Sequence, residues 1–333
     1  MEPPPDPKTS QKNASETSSA SPKKEYGAAQ IQVLEGLEAV RKRLDFNLLL
    51  GEVKKYGDAQ KLVQKYNFKN HSLLARALNE AKVLKMFPDL EKSKAPLLST
   101  FKIKRELDLF RETYDIKVLP VRSLRKAIRE WKSLVSKNPK ILLSEEQHNV
   151  IIGILLGDGN LRKRGKNTLF RTEHSERQKE YLFWIHDLFS EFTFSKPTSY
   201  IHKNHKYASY SVTTFAHPMF NYYYNLFYKN GRKQVNEKIL DQITPQSLAM
   251  WVSDDGSYCK SIKDLILCTN SFSLEEHKLM QKYFLEKWGL HCSIRFRDGK
   301  YYYLSFYKKD TDKLIDLIKD HIPVKDMRYK IGE

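Results

Sequence analysis

Cysteine is nearly absent from this chain of 333 residues: Cys259, Cys268 and Cys292 form no Cys-x-x-Cys and no even set. That excludes a disulfide framework and leaves little support for a zinc site, so the three read as thiols of a reducing compartment. Long apolar runs are lacking too; the longest strong one is the seven residues 150–156, far short of a membrane span. The opening Met-Glu-Pro-Pro-Pro-Asp has neither the basic nor the apolar part of a secretory signal, and export is not expected. Acid is in short supply: 40 Asp and Glu face 58 Lys and Arg, a formal charge of +18. Such an excess implies a polyanionic partner, and without a membrane span nucleic acid is the better reading.

One pattern occurs twice. Residues 151–159 read Ile-Ile-Gly-Ile-Leu-Leu-Gly-Asp-Gly, and residues 248–256 read Leu-Ala-Met-Trp-Val-Ser-Asp-Asp-Gly. Each is a short apolar helix that ends in Asp-Gly. Ser144 with Gln147 predicts a capping box before the first helix, and Thr244 with Pro245 predicts an N-cap and N1 proline before the second. Small residues stand one turn apart, Gly153 and Gly157 in the first helix and Ala249 and Ser253 in the second, a spacing that lets two backbones approach closely. Side by side, the helices would deliver Asp158 and Asp255 to one end, where two like charges call for a cation, and hard oxygen ligands suit Mg²⁺. Either stretch alone fits a buried core helix with an Asp-Gly cap. Their repetition argues for more: Lys233 follows Asp158 by 75 positions, and Lys330 follows Asp255 by the same 75. Between these marks both copies run through a polar hairpin, a capped helix (Ser175 with Gln178; Ser273 with Glu276), a second hairpin and a final helix.

The paired motifs with matched lysines resemble the LAGLIDADG homing endonucleases of the single-chain, two-motif kind, over roughly residues 141–333. The resemblance implies an α+β fold of two pseudo-symmetric αββαββα repeats, residues 141–240 and 241–333, with antiparallel saddle-like sheets lying along DNA. It implies that Asp158 and Asp255 bind the metal and that Lys233 and Lys330 are the basic residues of the active site. A polar residue, often Gln, follows the first strands in that family; here Glu173 and Asn270 stand near that place.

The hairpins carry basic and polar side chains on alternating positions. Arg162, Arg164, Lys166 and Arg171, then Lys203, Ser209, Ser211 and Thr213, are the expected DNA contacts of the first repeat. In the second, Arg295 and Arg297 alternate with Cys292, Ile294 and Phe296, Asp298-Gly299 predicts a tight turn, and Lys300 begins the return strand. Such ribbons fit a major groove, where Arg can bond guanine bidentately. Residues 222–228 are aromatic at helical spacing and read as core.

The first 140 residues are different. Residues 1–25, rich in Pro, Ser and Lys, are expected to be disordered. Residues 26–43, Tyr-Gly-Ala-Ala-Gln-Ile-Gln-Val-Leu-Glu-Gly-Leu-Glu-Ala-Val-Arg-Lys-Arg, resemble the beginning of the DNA gyrase B subunit, and the likeness stops at Leu44. This implies a reading frame that leaves a gyrase exon for an intron or insertion; an intein fits less well, because the junction lacks a Cys or Ser nucleophile. Residues 44–140 hold 22 basic and 11 acidic residues and predict a mainly helical region. Residues 62–79 fit either a helix-turn-helix, with 72–79 as the reading helix, or a generic helical hairpin, and residues 119–135 form a basic amphipathic helix.

The sequence thus points to a Mg²⁺-dependent, site-specific double-strand DNA endonuclease, encoded in an intron, acting as a monomer without a membrane. Its target would be the intronless gyrase B gene. An RNA maturase that binds intron RNA and a non-cleaving DNA-binding regulator of the same fold are the alternatives. The compartment would be the cytoplasm in a bacterium, or a matrix or stroma in an organelle.

Overall fold

The computed structural model describes residues 58–66, 68–201 and 208–333. The expectations for residues 1–25 and 26–43, and for Lys203, lie outside the described residues. The chain divides into two compact units, Met1–Pro88 and Asp89–Glu333. The basic region 44–140 thus spans the division after Pro88.

In the first unit, helix α1 (Asp58–Lys65) packs on helix α2 (His71–Met86) around Leu62, Phe68, Leu74 and Ala77. Asn70 caps α2 by accepting the Leu73 N–H at 3.1 Å. The segment expected to be a short reading helix is the first half of a 16-residue helix. Its apolar positions recur past residue 79, through Ala81 and Val83, so nothing stops it there.

The second unit begins with three helices, α3 (Ala95–Leu98), α4 (Lys104–Thr113) and α5 (Val121–Lys137). Leu124, Ala127, Ile128, Trp131 and Val135 form the buried stripe of α5. Then come the two repeats. The first is α6 (Glu145–Leu156), β1 (Asn160–Arg164), β2 (Asn167–Ser175), α7 (Lys179–Leu188), β3 (Thr198–Ile201), β4 (Ala208–Thr213) and α8 (Phe220–Phe227). A small ribbon, β5 (Tyr228–Lys229) and β6 (Arg232–Lys233), and the short helix α9 (Glu237–Leu240) complete it. The second is α10 (Pro245–Asp255), β7 (Gly256–Cys259), β8 (Asp264–Leu267), α11 (Leu274–Trp288), β9 (Cys292–Arg297), β10 (Tyr301–Phe306) and α12 (Lys308–Ile318), closed by a 3₁₀ helix at Lys325–Ile331.

The αββαββα order is thus present twice, and the two antiparallel sheets have the same topology, β1-β2-β4-β3 and β7-β8-β10-β9. Helices cover one face of each sheet: α7 and α8 lie on β2, α11 on β9 and β10, and α12 on β8 and β10. Strict alternation sorts β2, with Thr168, Phe170, Thr172 and His174 buried and the odd-numbered residues facing the other way. Phe220, Tyr223 and Phe227 of α8 are fully buried, so the aromatic run is core.

The capping boxes at Ser144/Gln147 and Ser273/Glu276 form, and Thr244 caps α10 through the Ser247 N–H. The box expected at Ser175 and Gln178 does not form. Ser175 remains in the β2 ladder opposite Ser209, and the chain enters α7 through a 3₁₀ turn.

Two helices of the basic region, α4 and α5, pack against the first repeat. Buried Glu106 of α4 accepts from Trp131 Nε1 of α5 at 3.1 Å and lies 3.0 Å from Nε2 of His217, just before α8. α5 itself packs on α8, behind the face that the sheet leaves open.

Candidate active site

Along the α6–α10 pair, three residues meet their own counterparts. Asn149 donates to Gln246 at 3.4 Å across 97 positions. With the same separation, Gly153 faces Met250 and Gly157 faces Asp254: a Cβ added to these glycines would lie 2.6 Å from the Met250 Cβ and 2.5 Å from the Asp254 Cβ. Contacts between equivalent residues mark a two-fold axis, here a pseudo-two-fold within one chain. On α10 these glycines face Ser247, Met250 and Asp254; Ala249 and Ser253 are fully buried in the same helix. What complements a glycine here is a larger side chain, not a second small one.

At the end of the seam the helices stop and the two motif aspartates emerge. The Asp158 side chain is about half exposed, at 49%. Asp255 is more enclosed, and its Oδ2 accepts from the Trp251 indole at 3.3 Å. Burial, and then the charge of Asp158, push the Asp255 carboxyl up to about 7, while Lys233, Trp251 and Lys330 pull the other way. A carboxylate whose ionisation is opposed by a second carboxylate beside it marks a site for a cation, and the oxygens of the pair suit Mg²⁺ or a similar hard ion.

Lys233 and Lys330 arrive by unlike routes at matching places. Lys233 ends the two-residue strand β6, after the left-handed pair Asn230 and Gly231. Lys330 sits in the closing 3₁₀ helix. Yet Lys233 Nζ donates to the Gly157 carbonyl at 2.7 Å, and Lys330 Nζ donates to the Asp254 carbonyl at 2.9 Å. Each lysine thus grips the residue just before a motif aspartate. Burial lowers the Lys233 pKa, opposed by the charges of Asp255, Asp254 and Asp158. A pocket of about 300 Å³ opens beside the second aspartate, lined by Asp255, Ser257, Cys268, Tyr329 and Lys330 among others.

Glu173 and Asn270 are placed less alike. Glu173 lies on the open face of β2, paired with Arg171 at 3.1 Å. Asn270 stands beyond the end of β8, exposed in a turn. The structure brings two other groups closer to the aspartates. His174, on the covered face of β2, has Nδ1 3.8 Å from Asp158 Oδ2 and Nε2 3.7 Å from Asp254 Oδ1. Asp254 itself is fully buried, with Oδ2 accepting the Asp158 backbone N–H at 3.0 Å. Burial, then Asp158 and Asp255, raise its pKa well above the usual carboxylate range. The adjacent pair Asp254-Asp255 was the sequence signal for it; nothing local marked His174.

Cross-strand register puts the expected contacts on one face. Arg171 opposes Thr213 and Glu173 opposes Ser211 across β2–β4, while Asn160, Arg162 and Arg164 flank them on β1. Arg162, Arg164 and Lys166 are exposed. Ser209 and Ser211 share the face but are only 7% exposed, held low among their neighbours, with Ser211 Oγ 3.4 Å from Thr198 Oγ1. In the second sheet Arg295 and Arg297 share a face with Tyr301 and Tyr303. Arg297 stacks 5.0 Å over the Tyr303 ring, and Arg295 donates to the Tyr307 hydroxyl at 2.6 Å. The turn forms at Asp298 and Gly299, both at positive φ, and Lys300 stays outside the ladder.

The sequence profile of the LAGLIDADG DNA endonuclease family matches residues 148–314, half of the chain. The chain belongs to this family. Its relatives include proteins named as endonucleases and as maturases. It is 33% identical over 198 residues, 57% of its own length and 85% of the relative's, to the probable intron-encoded endonuclease 1 of Wickerhamomyces canadensis. It is 29% identical over 199 residues, 57% and 75% of the two lengths, to the cytochrome b mRNA maturase bI2 of Debaryomyces hansenii. Its structure is similar to the homing endonuclease I-WcaI bound to its DNA recognition sequence, with a TM-score of 0.54 and 29% identity, covering 65% of this chain and 96% of that one. This LAGLIDADG chain is thus a homologue of intron-encoded endonucleases and maturases.

Proposed function

We propose that the chain is a homing endonuclease that cuts both strands of a specific DNA site with the help of a divalent cation, one half-site for each strand. The observation that carries this reading is the pair of matched lysine bonds, Lys233 to Gly157 and Lys330 to Asp254, which fix an ammonium beside each motif aspartate. A structural cap has no need of a part-buried cation next to it, and still less of two in register. The open sheet faces with Arg162, Arg164, Arg171, Arg295 and Arg297 would lie along the duplex, reading it by base contacts and by shape.

Asp158 and Asp255 would hold the cation, for which Mg²⁺ is the reading. When bound, the ion activates water and stabilises the leaving oxygen. Lys233 and Lys330 place hydrogen-bond donors where negative charge develops on the phosphate. The lowered pKa of Lys233 also suits it to exchange a proton with solvent. Glu173 and Asn270 order the solvent around the reacting phosphate. Since both half-sites belong to one chain, a monomer suffices.

The relationship to bI2 favours intron RNA as a second ligand. Intron encoding, together with the gyrase-like residues 26–43, makes the intronless gyrase B gene around the codon for Arg43 the target to test. A plasmid carrying that sequence should be linearised in Mg²⁺, remain intact in EDTA, and resist Asp158→Asn and Asp255→Asn. Tight binding of folded protein to that plasmid without cutting would move the function to a binding protein; tight binding to the intron RNA alone would move it to a maturase.

A further inference from the structure

The two aspartates account for one cation, but they leave a buried polar cluster beside them unexplained. His174 and Asp254 have 1% and 0% of their side-chain surfaces exposed. His174 Nδ1 and Asp254 Oδ1 are both buried without a hydrogen-bond partner. Gln178, whose side chain approaches the ring, gives its amide to the Tyr329 hydroxyl at 3.2 Å. Orphaned polar atoms of this kind are destabilising, and are kept where something else satisfies them.

One ring nitrogen of His174 and one oxygen each from Asp158 and Asp254 lie within 4.8 Å of one another. The two short gaps are made by different ring nitrogens, Nδ1 to Asp158 Oδ2 at 3.8 Å and Nε2 to Asp254 Oδ1 at 3.7 Å, and both are too long for hydrogen bonds. One ion takes only one of the nitrogens, so that nitrogen and the two oxygens would close from within 4.8 Å to the ~3.0–3.4 Å between neighbouring ligands around an ion with bonds of ~2.1 Å. The other parts of a ligand site are present. Thr172 Oγ1 lies 3.4 Å from His174 Nε2, and Tyr181 packs edge-on against the ring at 5.1 Å, fixing its orientation. Asp254 is held by the Asp158 N–H at 3.0 Å, and the half-exposed Asp158 offers the way in from solvent.

We infer that Asp158, His174 and Asp254 form a second metal site, which takes an imidazole-accepting divalent transition ion such as Mn²⁺ in preference to Mg²⁺. An imidazole ligand sets the preference: all-oxygen sites suit Mg²⁺, whereas a nitrogen donor favours the first-row transition ions. Bound through Nδ1, the ion would satisfy both orphaned atoms and tie β2 of the first repeat to the end of α10 in the second. Asp158 would then be shared with the cation site of the two motif aspartates. The site shares Asp158 with the endonuclease reading, but it fills without DNA and without any reaction.

The test is Mn²⁺ binding to the full chain in the absence of DNA, followed by electron paramagnetic resonance. The expected result is a bound ion whose spin-echo modulation shows ¹⁴N coupling from one imidazole and which an equal concentration of Mg²⁺ does not displace. His174→Gln should abolish the coupling and weaken Mn²⁺ binding at least ~10-fold. Asp254→Asn, which keeps an oxygen for the Asp158 N–H, should weaken binding with the fold intact by circular dichroism, whereas Asp255→Asn should leave the nitrogen signal in place. A bound Mn²⁺ with no ¹⁴N coupling, equal affinity in the His174→Gln protein, displacement by equimolar Mg²⁺, or no ion bound at all would each overturn the assignment. None of these readouts depends on cleavage, so a failure to cut DNA and a failure of this site are told apart.

Discussion

Gly157 and Asp254 occupy equivalent positions in the two motifs, and the space that one lacks the other fills. A Cβ on Gly157 would lie 2.5 Å from the Asp254 Cβ and 2.7 Å from its Oδ2. Because equivalent residues meet on the pseudo-two-fold axis, two copies of the larger side chain could not both be seated there. The asymmetry of the two motifs is in this sense a packing requirement. It also brings a third carboxylate to the place where the two half-sites join.

Gly157→Ala should therefore destabilise the chain by about 1–3 kcal/mol through overpacking. Chemical denaturation would measure it. Adding Asp254→Gly should return part of the loss, giving a non-zero coupling in the double-mutant cycle; additive effects would show that the two residues do not meet.

The two lysines should act on separate strands. Lys233→Met is expected to slow one strand cut by about 10²–10³-fold, the usual loss for a transition-state donor, and to leave a nicked circle as the main product. Lys330→Met should nick the opposite strand. Strand-specific end labelling distinguishes the two; equal slowing of both strands by either variant would count against independent half-sites.

Stability of the metal-free protein should fall as pH rises from about 4 to 7. The Asp255 pKa is raised from 3.8 to about 7, so between those values the folded state binds more protons than the unfolded one. That contribution is present below the unfolded value and lost as pH rises through the folded one, up to about 4 kcal/mol for a shift of this size. Asp255→Asn should flatten the profile, and adding divalent cation at pH 8 should restore stability to the unmodified chain.

The junction of the helical region with the first repeat rests on Glu106. Glu106→Ala leaves the Trp131 N–H and His217 buried without their partner, at a cost of about 2–4 kcal/mol. Limited proteolysis should then cut within residues 89–143 before the repeats are attacked. Resistance equal to the unmodified chain would mean that apolar packing alone holds the region.

Arg295 and Arg297 should separate by their DNA chemistry. If Arg297 meets a phosphate, Arg297→Ala lowers the salt slope of binding by about one; if it meets a base, the slope holds and preference at one position relaxes. Titrations at several salt concentrations, on matched and substituted sites, read both.

The sequence alone determined the elements that are set by local chemistry and by counting. The αββαββα order follows from the 3.6-residue and two-residue periods and from turn residues such as Asp298-Gly299. The equal spacing of the lysines from their aspartates anticipated a symmetric site, because a repeat preserves position even where local structure differs, as it does between β6 and the closing 3₁₀ helix. The open-face residues Arg162, Arg171 and Arg295 were legible for the same reason, since alternation along a strand assigns faces before any partner is known.

The tertiary structure decided what depends on which surfaces meet. Helical spacing singled out Ala249 and Ser253, whereas the rotation of α10 about its own axis decided that Met250 and Asp254 face the two glycines, and no local rule fixes that angle. His174 and Glu173 are neighbours in sequence and fall on opposite sides of the sheet, so only the placement of β2 over the ends of α6 and α10 made the histidine, not the glutamate, the companion of the buried aspartate. The division after Pro88 was invisible to composition for a similar reason: lysines and arginines run on both sides of it, whereas the tie of α4 and α5 to the first repeat is made by the buried contacts of Glu106, Trp131 and His217.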